Sequence, residues 1–119
     1  MNFHDAIRAH TEWKMKLAAY LKAPDRSLNA AEIGQDNKCE LGRWIEANRA
    51  AHSALPEFAT LKKEHTRFHR AAGDVVRRAD AGERVTEEVA LGAKSEYASA
   101  SGAVVSALMA ISKKVQLVS

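Results

Sequence analysis

Apolar side chains at the start of the chain return at spacings of three and four: Phe3, Ile7, Trp13, Leu17 and Tyr20, with His10 inside the same stripe. That interval matches the α-helical turn, so a first helix is expected from Phe3 to about Leu21 with one buried face. Pro24 ends it, because it disfavours a helical conformation at Ala23. A connector follows to about Gln35. Within it Asn29-Ala30-Ala31-Glu32 has capping-box-like spacing and predicts a short helical turn.

Asp36 is a good N-cap for a second helix, which places Cys39 at the third helical position. Leu41, Trp44 and Ile45 are its apolar side chains, and it should fade near Asn48. Pro56 suits the first turn of a third helix, where its missing N–H costs nothing. Phe58, Leu61, His65, Phe68, Ala72, Val75 and Ala79 then keep the helical period as far as Asp80-Ala81-Gly82, where Gly82 can take a left-handed conformation. Thr86, followed by Glu87 and Glu88, caps a last long helix that should reach about Val115. This helix is rich in small residues, among them Ala90, Gly92, Ala98, Ala100, Gly102 and Ala103, which permit close packing on a neighbour. No strand-like alternation occurs. The expected fold is all-α: an antiparallel four-helix bundle with a short extra helical turn in the connector between helices 1 and 2.

Composition supports that reading and narrows the function. The chain has 119 residues, 46% apolar, with six glycines and two prolines, which suits one helical domain over residues 1–119. Eighteen basic residues stand against 15 acidic ones, a net charge of +3 that demands neither nucleic acid nor an anionic membrane. The basic stretch from Arg67 to Arg78 is interrupted by Ala71, Val75 and Val76 and reads as a solvated helix face. The first residues lack the apolar stretch of a secretory signal, and no run approaches a membrane span, so a cytoplasmic protein is expected. Cys39 is the only cysteine and cannot form an intrachain disulfide.

His65 and His69 lie four apart within a helix and can reach one point, a recurrent half-site for zinc. Alone the pair is weak evidence, since such pairs arise by chance. Both share a face with Phe58, Leu61 and Phe68, and His10 lies in the apolar stripe of the first helix. One inward histidine is ordinarily a satisfied core side chain, and one inward cysteine a small buried hydrophobe. Three such histidines and a cysteine together cost several kcal/mol to bury unless one partner satisfies them all. Zinc would do so, and the start of a helix stabilises a thiolate at Cys39.

The pattern His10-Thr11-Glu12-Trp13, Cys39-Glu40-Leu41-Gly42-Arg43-Trp44 and His65-Thr66-Arg67-Phe68-His69 resembles that of the chemoreceptor zinc-binding (CZB) domain family. The three blocks span about half of the chain. The resemblance implies zinc held by His10, Cys39, His65 and His69, and a helical bundle that commonly forms a homodimer. It also implies a regulatory unit of bacterial chemoreceptors or diguanylate cyclases, acting on chemotaxis or cyclic-di-GMP output. The partner would be met in trans or carried as a fused domain missing here. Two further functions use the same residues: oxidant sensing, for instance of hypochlorous acid, through the zinc-bound Cys39 thiolate, and a purely structural zinc site. Trp13 and Trp44 are expected to pack around the site, Gly42 to allow a close approach, and His4 and His52 to lie on the surface, either being a possible partner for the His10 ring.

An enzyme is not expected. Four protein donors fill a tetrahedral shell and leave no place for water. The His65–His69 segment lacks the glutamate that follows the first histidine of metalloprotease helices, and Glu64 precedes His65 and should face elsewhere. The inward faces also offer too few carboxylates for a di-iron centre.

Overall fold

A computed structural model describes residues 3–25, 27–35, 39–52, 54–83 and 86–118, with the side chains of Glu40 and residues 115–118 left aside. The described residues form six helical segments: α1 (Phe3–Lys22), α2 (Ala30–Ile33), α3 (Glu40–His52), α4 (Pro56–Asp80), α5 (Glu87–Leu91) and α6 (Glu96–Val118). No strand occurs among them, and the helices pack together as a bundle.

The predicted apolar faces of α1 and α4 are the core. Leu17 and Tyr20 of α1 are buried, as are Phe58, Leu61, Phe68, Ala72, Val75, Val76 and Ala79 of α4. Ala100, Val104, Leu108 and Ile111 of α6 close the opposite wall. α4 is the central element and packs against α1, α2, α3 and α6. Lys114 of α6 pairs with Glu57 of α4 at 2.8 Å, and Arg67 of α4 donates to Ser99 of α6. In the basic stretch, Arg77 pairs with Asp74 and Arg78 with Glu83, all exposed, as expected of a solvated face.

The helix ends follow local chemistry. The Asn29 side chain accepts from the N–H groups of Ala31 and Glu32 and starts α2. Pro56 opens α4, and α4 ends with Gly82 at φ +82° and the N–H of Glu83 donating to the Arg78 carbonyl. The Thr86 hydroxyl accepts from Val89 N–H at 3.2 Å and starts α5.

Three expectations need correction. The last helix is broken: Gly92 has ψ 172° and stops α5, and the Ser95 side chain then accepts from Ala98 N–H to start α6. An added Cβ at Gly92 would overlap the Glu88 carbonyl, so the break is held by a residue without a side chain. α3 runs on to His52 instead of fading near Asn48. Cys39 lies just before α3, not in its first turn: its carbonyl receives the Arg43 N–H and its Sγ receives the Gly42 N–H at 3.3 Å. It therefore occupies the N-cap position that the sequence suggested for Asp36, a residue outside those described.

Candidate metal centre

Two helices and one helix cap bring four donors to a single point. His10 comes from the buried face of α1, His65 and His69 from successive turns of α4, and Cys39 from the cap of α3. The ligand-capable atoms of these four residues all lie within 4.8 Å of one another. Cys39 Sγ is 3.2 Å from His65 Nε2, and His65 Nε2 is 3.1 Å from His69 Nε2. The histidines are 1–5% exposed, so their ring nitrogens are withdrawn from bulk water.

Backbone carbonyls fix two of the three tautomers. The Nδ1–H of His10 donates to the Ala6 carbonyl at 2.7 Å, and the Nδ1–H of His69 donates to the Ile33 carbonyl at 2.8 Å. A carbonyl only accepts, so each Nδ1 must carry the proton and each neutral ring presents a bare lone pair at Nε2. Burial, reinforced by the neighbouring His69 and His10, pushes His65 down to about 3. His10 is also lowered, by burial above all. The rings are thus held neutral, the form that binds a metal.

The arrangement fits a cation. His10 Nε2 is buried with no hydrogen-bond partner. A proton on His65 Nε2 could serve Cys39 or His69, yet it leaves the His10 lone pair unserved. A tetrahedral ion with zinc's bond lengths would separate two nitrogens by roughly 3.3 Å and nitrogen from sulfur by roughly 3.6 Å. The His65–His69 spacing of 3.1 Å lies close to the first value, and the Cys39–His65 spacing of 3.2 Å is somewhat shorter than the second. The Gly42 N–H directed at Cys39 Sγ, at the start of α3, favours thiolate over thiol.

Phe68 supports the cluster from below, its ring centroid 5.1 Å from that of His10 and 5.4 Å from that of His69. Trp13 is half-buried and, with Asp5, Ala6, Ala9, His10, Cys39 and Leu41, lines a cavity of about 100 Å³ beside the thiol. Trp44, by contrast, makes its ring contacts with Phe3, His52 and Phe58. His52 is half-buried against Trp44, and the His10 Nδ1–H is taken by Ala6, so neither His4 nor His52 is needed there. Glu64 pairs with Arg67 at 3.0 Å.

Sequence reasoning did not find the carbonyls of Ala6 and Ile33, because every residue carries one. The one available signal was Gly73, a glycine four residues after His69 inside an amphipathic helix. A Cβ there would lie 3.0 Å from the Ala30 carbonyl oxygen and 3.2 Å from Gly34 Cα. Its absence lets α2 approach α4 closely enough for Ile33 to reach His69.

No helix among the described residues is long and apolar enough to cross a membrane. No curated protein and no solved structure is a match for the chain. The model of the chemoreceptor zinc-binding domain matches residues 10–76, an interval that opens on His10 and contains Cys39, His65 and His69; the chain therefore belongs to that family.

Proposed function

We propose that this chain is a zinc-binding regulatory module in which His10, Cys39, His65 and His69 are the ligands. The observation that carries the proposal is the convergence of four donors on one buried point where His10 Nε2 has no other partner. When bound, zinc supplies positive charge that holds α1, α3 and α4 to one point, and its loss would loosen them. With four protein donors the shell is closed, which suits sensing and not hydrolysis. Residues 1–119 would act as one unit, as a homodimer, and pass the change to a chemoreceptor or a diguanylate cyclase in trans or in the same polypeptide.

A second reading draws on the half-burial of Cys39 and the cavity beside it. A small oxidant such as hypochlorous acid could enter there. The thiolate would take its oxygen, giving sulfenic acid and chloride, with sulfur oxidised by two electrons and one metal bond weakened.

Native mass spectrometry of the purified protein, beside Cys39→Ala, tests the primary proposal. One zinc per chain, lost or weakened in the variant, is the expected result. No zinc after addition in excess would overturn it.

A further inference from the structure

Of the helices that surround the cluster, α2 alone contributes no donor to it, yet it touches the site twice. Its last residue, Ile33, accepts the Nδ1–H of His69 at 2.8 Å. Its first residue and its C-terminal cap lie against Gly73, where a Cβ would meet the Ala30 carbonyl oxygen at 3.0 Å and Gly34 N at 3.2 Å. His69 and Gly73 are one turn apart on the same face of α4. The space that Gly73 leaves and the hydrogen bond that His69 makes are thus two halves of one docking contact.

We propose that α2 is a positioning element for the metal: by docking on Gly73 it places the Ile33 carbonyl so that His69 keeps its proton on Nδ1 and offers Nε2 to the ion. This rests on the zinc reading above and assigns a role to residues that hold no ligand atom. A carbonyl that fixes the tautomer of a metal-bound imidazole also raises the ring's donor strength. The coupling runs both ways, as any binding linkage must. Metal that commits His69 to Nε2 coordination strengthens the Nδ1–H bond to Ile33 and so holds α2 down. α2 has only four helical residues and no fully buried side chain, Ala30 and Ile33 being partly buried against the core. Metal occupancy would accordingly be reported at residues 30–34, on the connector between α1 and α3.

Two variants separate this role from general stability. Gly73→Ala inserts the Cβ that the Ala30 carbonyl and Gly34 backbone exclude, and is expected to weaken zinc binding by about 10- to 100-fold. Asn29→Ala removes only the exposed cap that accepts from Ala31 and Glu32, and is expected to weaken zinc binding several-fold. Gly102→Ala, whose Cβ would enter open space, is the control and should bind as the unaltered chain does. The readouts are zinc affinity by chelator competition, amide exchange at Ile33 and Gly34, and the ¹⁵N shifts of the His69 ring. Zinc should slow exchange at both amides in the unaltered protein. In the variants the His69 ring should lose its single Nδ1–H signature when metal is absent.

A chain that takes up no zinc would overturn the ligand assignment and this inference with it. A chain that binds zinc normally while Asn29→Ala and Gly73→Ala keep full affinity would overturn the inference alone. So would zinc that leaves exchange at Ile33 and Gly34 unchanged. Should Gly73→Ala fail to fold, Asn29→Ala and the exchange measurement decide.

Discussion

Cys39 Sγ lies 3.2 Å from Nε2 of His65, although the two residues are 26 positions apart, one capping α3 and the other inside α4. The thiol is at the same time the N-terminal cap of α3, accepting the Gly42 N–H at 3.3 Å. One sulfur atom therefore joins a helix start to the metal cluster, and its charge state matters to both.

Replacing Cys39 separates these roles. Cys39→Ala removes the sulfur donor and the cap acceptor together. Cys39→Ser restores an acceptor suited to an N-cap but is a poor zinc ligand. Loss of a partner outside the ligand set costs about 10- to 100-fold in affinity, so loss of a ligand is expected to cost roughly 100-fold or more in both variants. The serine variant should recover about 1 kcal/mol of metal-free stability relative to alanine. Chelator competition and urea unfolding measure the two quantities. Equal zinc affinity in the unaltered protein and the serine variant would remove Cys39 from the ligand set.

The buried histidines make metal-free stability pH-dependent. His65 is depressed to about 3 in the folded chain against 6.5 unfolded, and His10 is lowered in the same direction. The unfolded state therefore binds more protons between these values, so stability is full above pH 6.5 and falls as pH drops from 6.5 toward 3. The slope reaches about 1.4 kcal/mol per pH unit for each such histidine. Urea midpoints of the chelator-treated protein between pH 7.5 and 5 should fall accordingly, and His65→Gln should flatten the slope. An unaltered slope in that variant would show that His65 is not held neutral by burial.

Gly92 tests why the last helix is interrupted. A Cβ there would overlap the Glu88 carbonyl oxygen and lie 3.1 Å from its carbon. Gly92→Ala is expected to cost about 1–3 kcal/mol in unfolding free energy. Zinc affinity should hold, because α5 supplies no residue to the cluster. If the alanine variant is as stable as the parent, α5 and α6 can join as one helix and the break is not obligatory.

Which features were legible follows from the physics of each signal. The faces of α1 and α4 were readable because burial repeats with the helical turn, and every apolar position expected inward on α4 is buried. The four donors were readable as a group because polar side chains stood within those same stripes. The α5–α6 break was hidden, since alanine and serine around Gly92 continue a helical composition and the strain appears only once Glu88 is placed. Cys39 as a cap was hidden because Asp36 offers a stronger local signal three residues earlier. The contacts of Ile33 and Ala6 were hidden for a different reason: main-chain carbonyls leave no trace in residue identity.

Phe68 is where core and cluster share one side chain. It is fully buried, and its ring meets those of His10, His69 and Tyr97 at centroid distances of 5.1, 5.4 and 5.2 Å. Truncating it leaves a cavity beneath the imidazoles of His10 and His69. Phe68→Ala is therefore expected to cost about 3–5 kcal/mol in the metal-free protein. Added zinc should recover part of that loss, about 2.7 kcal/mol when zinc stands at 100 times the dissociation constant of the variant. Phe68→Leu, which fills more of the space, should lie between the two. Thermal unfolding with and without zinc gives both terms, since on the order of 10 °C separates states that differ by this amount in a chain of this size. If saturating zinc leaves the unfolding temperature of Phe68→Ala unchanged, the metal does not hold the two rings in that variant, and the predicted recovery fails.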